Sequence, residues 1–131
     1  MAWNEREPID RVTREEVYHK FGGHCAYCGH QLKSKGWHVD HVIPVAAGGV
    51  DDIMNFFPAC KHCNTLKNAS SLEQFRTCIH DYYKKSGVVI SERFGILKVI
   101  APMEIVFWYE KQGYVFPYET VLAMMNKRGL V

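Results

Sequence analysis

The sequence lacks any long apolar run. No uninterrupted aliphatic or aromatic stretch exceeds five residues, Ile105 to Tyr109, whereas a bilayer span needs about 20. The opening residues, Met1-Ala2-Trp3-Asn4-Glu5-Arg6, are acidic and polar where a secretory signal carries its apolar stretch. Lipidation motifs and repeats of solenoid length are absent as well, so the expected location is the cytoplasm. An excess of one charge is also missing. Sixteen Lys+Arg against fourteen Asp+Glu leave a formal +2, which names no partner. With 47% hydrophobic and 23% charged residues, the composition excludes disorder, collagen and a coiled coil. The 131 residues are expected to form a single domain.

Cysteine stands out against this plain background. There are five, an odd number that cannot all pair within one chain, and four sit in two CxxC pairs. Two residues between cysteines let one tight turn aim both sulfurs at one ion. Cys25 with Cys28, and Cys60 with Cys63, therefore predict a four-thiolate structural zinc site in a reducing compartment. The same ligands also suit an iron–sulfur cluster. Thirty-one residues separate the two knuckles, so something is folded between them. The fifth, Cys78, lies near an apolar helical stripe and reads as core.

Residues 1–10 read as an arm. Thr13 and Glu16 stand at capping-box spacing before a short helix over 14–21, which Gly22-Gly23 ends. Lys33-Ser34-Lys35-Gly36 reads as a basic hairpin loop, and 37–43 as a strand closed by Pro44. Residues 46–52 read as a flexible loop, and 53–57 as an apolar segment stopped by Pro58. A helix begins near Asn64. A second, capped by Ser70-Ser71 with Glu73 and Gln74, runs from 72 to about 85 on a stripe of Leu72, Phe75, Ile79, Tyr82 and Tyr83. Strands are predicted at 88–90 and 94–100, and a last helix at 118–127; 103–111 is ambiguous.

Between the knuckles lies HVDHVIP. Asp40 and His41 are neighbours on a strand, so alternation sends them to opposite faces. Asp40 and Asn64 offer hard oxygen ligands, which suit an ion such as Mg²⁺ or Mn²⁺. His41 is a candidate general base, because imidazole titrates near neutral pH. His38 shares a strand face with Asp40 and is a candidate to line the same site.

The order CAYC, HVDHVIP, Gly48-Gly49, Asn55, CKHCN and Lys67 resembles the HNH endonuclease family, in its zinc-ribbon-supported form, over residues 25 to about 70. The family includes homing, restriction and phage nucleases. The resemblance implies an α+β fold. A small ββα-metal core at 25–70 is clamped by the four-cysteine zinc site, with helices and strands at 71–131 as a C-terminal extension of unassigned role. It also implies roles. His41 activates water, Asp40 and Asn64 hold the catalytic ion, and Asn55 shapes the loop and orients the base. Asn64 stands where the family often has histidine, and this change favours Mg²⁺ or Mn²⁺ over a nitrogen-preferring metal. The implied activity is DNA nicking or cutting that leaves a 5′ phosphate. Lys33, Lys35, Lys61 and Lys67 are candidate phosphate contacts. One site cuts one strand, so duplex cleavage calls for a homodimer or two events. Sequence preference would come from the tail or from a partner protein. Two other readings compete: a non-catalytic zinc module that binds nucleic acid or protein, and an interaction protein that displays the aromatic tail (Phe107, Trp108, Tyr109, Tyr114, Phe116).

Overall fold

Helix α1 (Arg11–His19) begins at an aspartate. The Asp10 carboxylate accepts from the Thr13 backbone N–H at 2.7 Å and the Thr13 hydroxyl at 3.1 Å. The expected Thr13 cap is therefore displaced to Asp10, and Thr13 becomes its client; the helix starts three residues earlier than expected. These observations come from a computed structural model that describes residues 9–86 and 105–127. Val17 and Phe21 pin α1 to the core, and Gly22-Gly23 turns the chain away with positive φ, as the sequence suggested.

The first knuckle follows. The Cys25 N–H donates to the His30 carbonyl at 2.9 Å, and the Gly29 N–H donates to Cys25 at 3.0 Å. Strands β1 (His38–His41) and β2 (Phe56–Ala59) then pair antiparallel, with Asp40 opposite Phe57 and His41 opposite Phe56. Pro58 does not stop the second segment. It lies inside β2 opposite Val39, since a two-stranded sheet has two edges and an edge tolerates a missing N–H. Its carbonyl accepts from the Ala26 N–H at 2.9 Å, which docks the first knuckle on that edge.

Helix α2 (Lys61–Lys67) starts inside the second knuckle, before the expected Asn64. Cys60 is its N-cap, and the Cys60 Sγ accepts from the Cys63 N–H at 3.4 Å. The helix ends at Asn68, whose φ is 50°. Helix α3 (Leu72–Ser86) carries the predicted capping box. The Gln74 N–H donates to Ser71 Oγ, and Gln74 Oε1 accepts from the Ser71 N–H. Leu72, Phe75 and Ile79 are buried as expected. Cys78 is not: it is exposed. At 100° per residue it sits about 90° around the helix from the centre of that stripe, which turns it to solvent. Tyr82, placed on the stripe by its spacing, is also exposed. The strands expected at 88–90 and 94–100 lie outside the described residues.

Residues 105–127 add Ile105, Phe107, Tyr109, Phe116, Val121 and Met125 to the core. The chain crosses the first knuckle, where the Trp108 N–H donates to the Tyr27 carbonyl at 3.0 Å and the Tyr109 N–H to Ala26 at 2.8 Å. It then forms α4 (Trp108–Lys111) and α5 (Tyr118–Lys127). Phe107, Tyr109 and Phe116 are buried against Tyr27, Phe57 and Phe75. Trp108 and Tyr114 are partly exposed, so the five aromatics do not form one exposed surface. Arg76 of α3 fastens the crossing. Its guanidinium lies 4.6 Å from the Phe107 ring centre and donates to the Glu110 carboxylate at 2.7 and 3.1 Å, and to the Ile105 carbonyl at 2.6 Å. Among the described residues no helix is long and apolar enough to cross a membrane.

Gly29 has φ +77°, and a Cβ there would stand 2.5 Å from the Trp108 ring. Gly36, at φ +85°, has nothing within 4 Å. Both substitutions to alanine carry the left-handed cost of about 1–2 kcal/mol. Only Gly29→Ala adds an overpacking cost of about 1–3 kcal/mol. In chemical denaturation Gly29→Ala is expected to lose clearly more stability than Gly36→Ala; equal losses would contradict the packing described.

Candidate metal centre and active site

The two knuckles bring four sulfurs together. The Sγ atoms of Cys25, Cys28, Cys60 and Cys63 all lie within 4.8 Å of one another. Among the described residues this is the one converging group of three or more Cys, His, Asp or Glu. Cys28 and Cys60 are 3.8 Å apart. A tetrahedral ion with Zn–S bonds of about 2.3 Å has S···S edges of about 3.8 Å, so the cluster has the dimensions of a closed thiolate site. Cys25, Cys28 and Cys63 are buried and Cys60 is partly so. Hydrogen bonding among the four thiols pulls Cys28 and Cys60 down and pushes Cys25 and Cys63 up, and a metal would take all four as thiolates. The four cysteines are positioned to bind a metal. His24, beside the cluster, is engaged elsewhere: its Nδ1 lies 2.9 Å from the Gly29 carbonyl.

β1 alternates as predicted, with Asp40 buried and His41 on the other side of the strand. Asp40 is 4% exposed. Its Oδ2 accepts from the Tyr27 hydroxyl, and its Oδ1 from the Lys67 Nζ at 3.4 Å. Lys67 also donates to the His41 carbonyl at 3.1 Å. Burial pushes the Asp40 carboxyl up, and the Lys67 ammonium beside it opposes that shift. The same burial pushes Lys67 down, with Asp40 opposing it. Expected as a phosphate contact, Lys67 is instead 1% exposed. α2 crosses the inner side of β1, so the residue one turn after Asn64 points at the buried carboxylate.

His41 is held on two sides. Its Nε2 lies 2.6 Å from Asp51 Oδ1, and its ring meets Phe56 edge-on at 5.0 Å. Asn55 is fully buried. Its Oδ1 accepts from the Ile43 N–H at 2.9 Å, while its Nδ2 donates to the carbonyls of Ile43 and Val50 at 3.1 and 3.0 Å. These bonds make Asn55, expected to shape the loop and orient the base, a residue that holds the loop between Ile43 and Val50. The loop expected to be flexible over 46–52 contains a 3-10 turn at Val45–Ala47. It is drawn so tight that a Cβ on Gly49 would stand 1.8 Å from the Ile43 carbonyl oxygen.

Asp40, His41 and Asn64 line one open hollow of about 400 Å³, together with His38, Pro44 and Asn68. Lys33, Lys35 and Lys61 are exposed. Two contributors escaped sequence reasoning. Tyr27 stands inside the first CxxC, and its partner Asp40 lies 13 residues further along the chain. Asp51 follows Gly48-Gly49, a position that looked like ordinary turn chemistry.

Residues 25–70 match the HNH endonuclease family. The matched segment opens at the first cysteine and closes just past α2, so it encloses both knuckles, both strands and the hollow. The chain is also 35% identical over 80 residues to a Bacillus subtilis (strain 168) protein named "SPbeta prophage-derived putative HNH endonuclease YoqL". That alignment covers 55% of this chain and 35% of YoqL, so the chain spans about a third of that relative's length. In structure it is similar to the Type II-C Cas9 enzyme from Actinomyces naeslundii, at 22% identity and a TM-score of 0.47. That likeness covers 71% of this chain and 10% of Cas9.

The Asp40–Lys67 pair sits within the HNH segment and has a measurable energetic signature. Removing one member of a buried ion pair costs about 3–5 kcal/mol, because the other charge is left unpaired. Lys67→Met is expected to lose stability of that order in urea unfolding, and Lys67→Met with Asp40→Asn to regain much of it. Additive losses in the double variant would show that the two groups do not interact.

Proposed function

We propose that this chain is a metal-dependent DNA endonuclease whose nuclease core is residues 25–70. The observation that carries the reading is the meeting of Asp40, His41 and Asn64 at one hollow inside the HNH-matched segment. Zinc in the thiolate cluster is structural: four protein ligands close the shell and leave no position for a substrate. A second ion, Mg²⁺ or Mn²⁺, suits the hollow by donor chemistry. Asp40 and Asn64, both in its lining, carry a carboxylate and an amide oxygen, the kind of donors a hard cation takes. Bound there, such an ion supplies charge stabilisation for the phosphate and the departing 3′ oxygen.

The chain's own residues do the rest. His41 takes a proton from the attacking water, the water oxygen bonds to phosphorus, and the P–O3′ bond breaks to leave a 5′ phosphate. Tyr27 and Lys67 hold Asp40 in place from beneath. Asn55 holds the loop that walls the hollow. Lys33, Lys35 and Lys61, all exposed, contact the nucleic-acid backbone, and that contact weakens with salt. Of the residues after 70, those the structure describes, 71–86 and 105–127, pack on this core and serve as its support. One such site cuts one strand, so single-strand nicking is the basic event, with duplex cutting arising from two copies.

The test is plasmid relaxation with Mg²⁺ or Mn²⁺. Wild type is expected to nick or linearise DNA, chelator to abolish this, and His41→Ala to lose at least about 100-fold in rate. Failure on supercoiled, linear, single-stranded and modified DNA alike would favour a non-catalytic zinc module. Elemental analysis is expected to find one zinc per chain, and Cys60→Ser to give metal-poor, unfolded protein. A folded, metal-free Cys60→Ser protein would overturn the structural role.

A further inference from the structure

His41 is not merely adjacent to Asp51. The contact is 2.6 Å, shorter than the usual N–H···O separation of about 2.9 Å and in keeping with an ionised acceptor. An ionised carboxylate has only acceptor sites, so the proton in this bond sits on Nε2 of the imidazole. In a neutral ring with hydrogen on Nε2, the lone pair is on Nδ1.

The placement of Asp51 is built from the loop. Gly49 allows the close return over Ile43, and the Gly49 N–H donates to the Pro44 carbonyl at 2.9 Å. Asn55 then grips the Val50 carbonyl from the core side at 3.0 Å. The next residue is Asp51. Asn55 thus acts on the histidine at second hand: it fixes Val50, Val50 fixes Asp51, and Asp51 meets Nε2.

We infer that Asp51 is the positioning residue of His41. It fixes the Nε2–H tautomer and the ring's orientation, and Nδ1 is the atom that receives the proton of the attacking water. The inference rests on the nuclease reading above and specifies the base atom within it. When Nδ1 accepts the proton the ring becomes cationic, and the Asp51 carboxylate already faces that charge. The departing O3′ is protonated from bulk water. Since the Asp51 side chain is half exposed, the pair adds little to folding stability, and its effect falls on orientation.

Two measurements on the full metal-loaded chain test this. Steady-state cleavage by Asp51→Ala is expected to drop about 10- to 100-fold in kcat, below the 10²–10⁴-fold worth of a whole positioned base. KM for DNA should stay within about twofold, melting temperature and zinc content should hold, and Asp51→Glu should recover part of the rate. Independently of activity, ¹⁵N-histidine NMR at alkaline pH is expected to find His41 as the Nε2–H tautomer in wild type, and a mixture of tautomers in Asp51→Ala. An Nδ1–H tautomer in wild type, or wild-type kcat in Asp51→Ala, would overturn the inference. A wild-type protein that cleaves no DNA would remove the nuclease reading, while the tautomer comparison would still decide whether Asp51 orients His41.

Discussion

Four sulfurs within 4.8 Å of one another hold this molecule's two functional halves in register. Among the described residues the sheet has two short strands, which is too little to be stable alone. Closing the cluster pins one knuckle to each end of the inserted segment. Each knuckle then sends a side chain to the same carboxylate. Tyr27 comes from the middle of the first CxxC, and Lys67 from the helix that the second one starts. Asp40 is thereby buried with a hydroxyl and an ammonium, and a charge that would be prohibitive alone becomes sustainable. The metal cluster and the hollow are coupled through this one carboxylate, although no cysteine lines the hollow.

A similar economy governs the opposite face of β1. His41 is set by Phe56 across the sheet and by Asp51 from the loop, and the loop is set by Asn55. Two neighbouring residues of one strand are thus held from two sides, and Lys67, which bonds the Asp40 carboxylate and the His41 carbonyl, joins them. Asp40 depends on the clamp, and His41 depends on the turn between the strands.

What could be read from the sequence was whatever follows from local spacing. CxxC pairs, strand alternation at 40–41, the Ser71–Gln74 box and the stripe of Leu72, Phe75 and Ile79 each depend on near neighbours, and each appears as expected. The misreadings share a different cause. Lys67 looks like a solvated helical lysine unless it is known that α2 lies over Asp40. Pro58 looks like a strand breaker unless the sheet is known to have two edges. Cys78 was assigned to the core by residue type, but its angle on the helix decided otherwise. The loop at 46–52 has the composition of a flexible turn, yet its glycine serves close backbone approach. In each case a partner distant in sequence sets the outcome.

The crossing of residues 105–109 over the first knuckle bears on how the matched segment could be moved between proteins. The carbonyls of Ala26 and Tyr27 are capped by Tyr109 and Trp108, and the rings of Tyr27, Phe57 and Phe75 are roofed by Phe107 and Tyr109. An excision at 25–70 would uncover that aromatic layer and leave two turn carbonyls to water. The limits of the recognisable chemistry are therefore not the limits of cooperative folding. A graft of this cassette into another scaffold would have to bring its aromatic roof, or find one in the host.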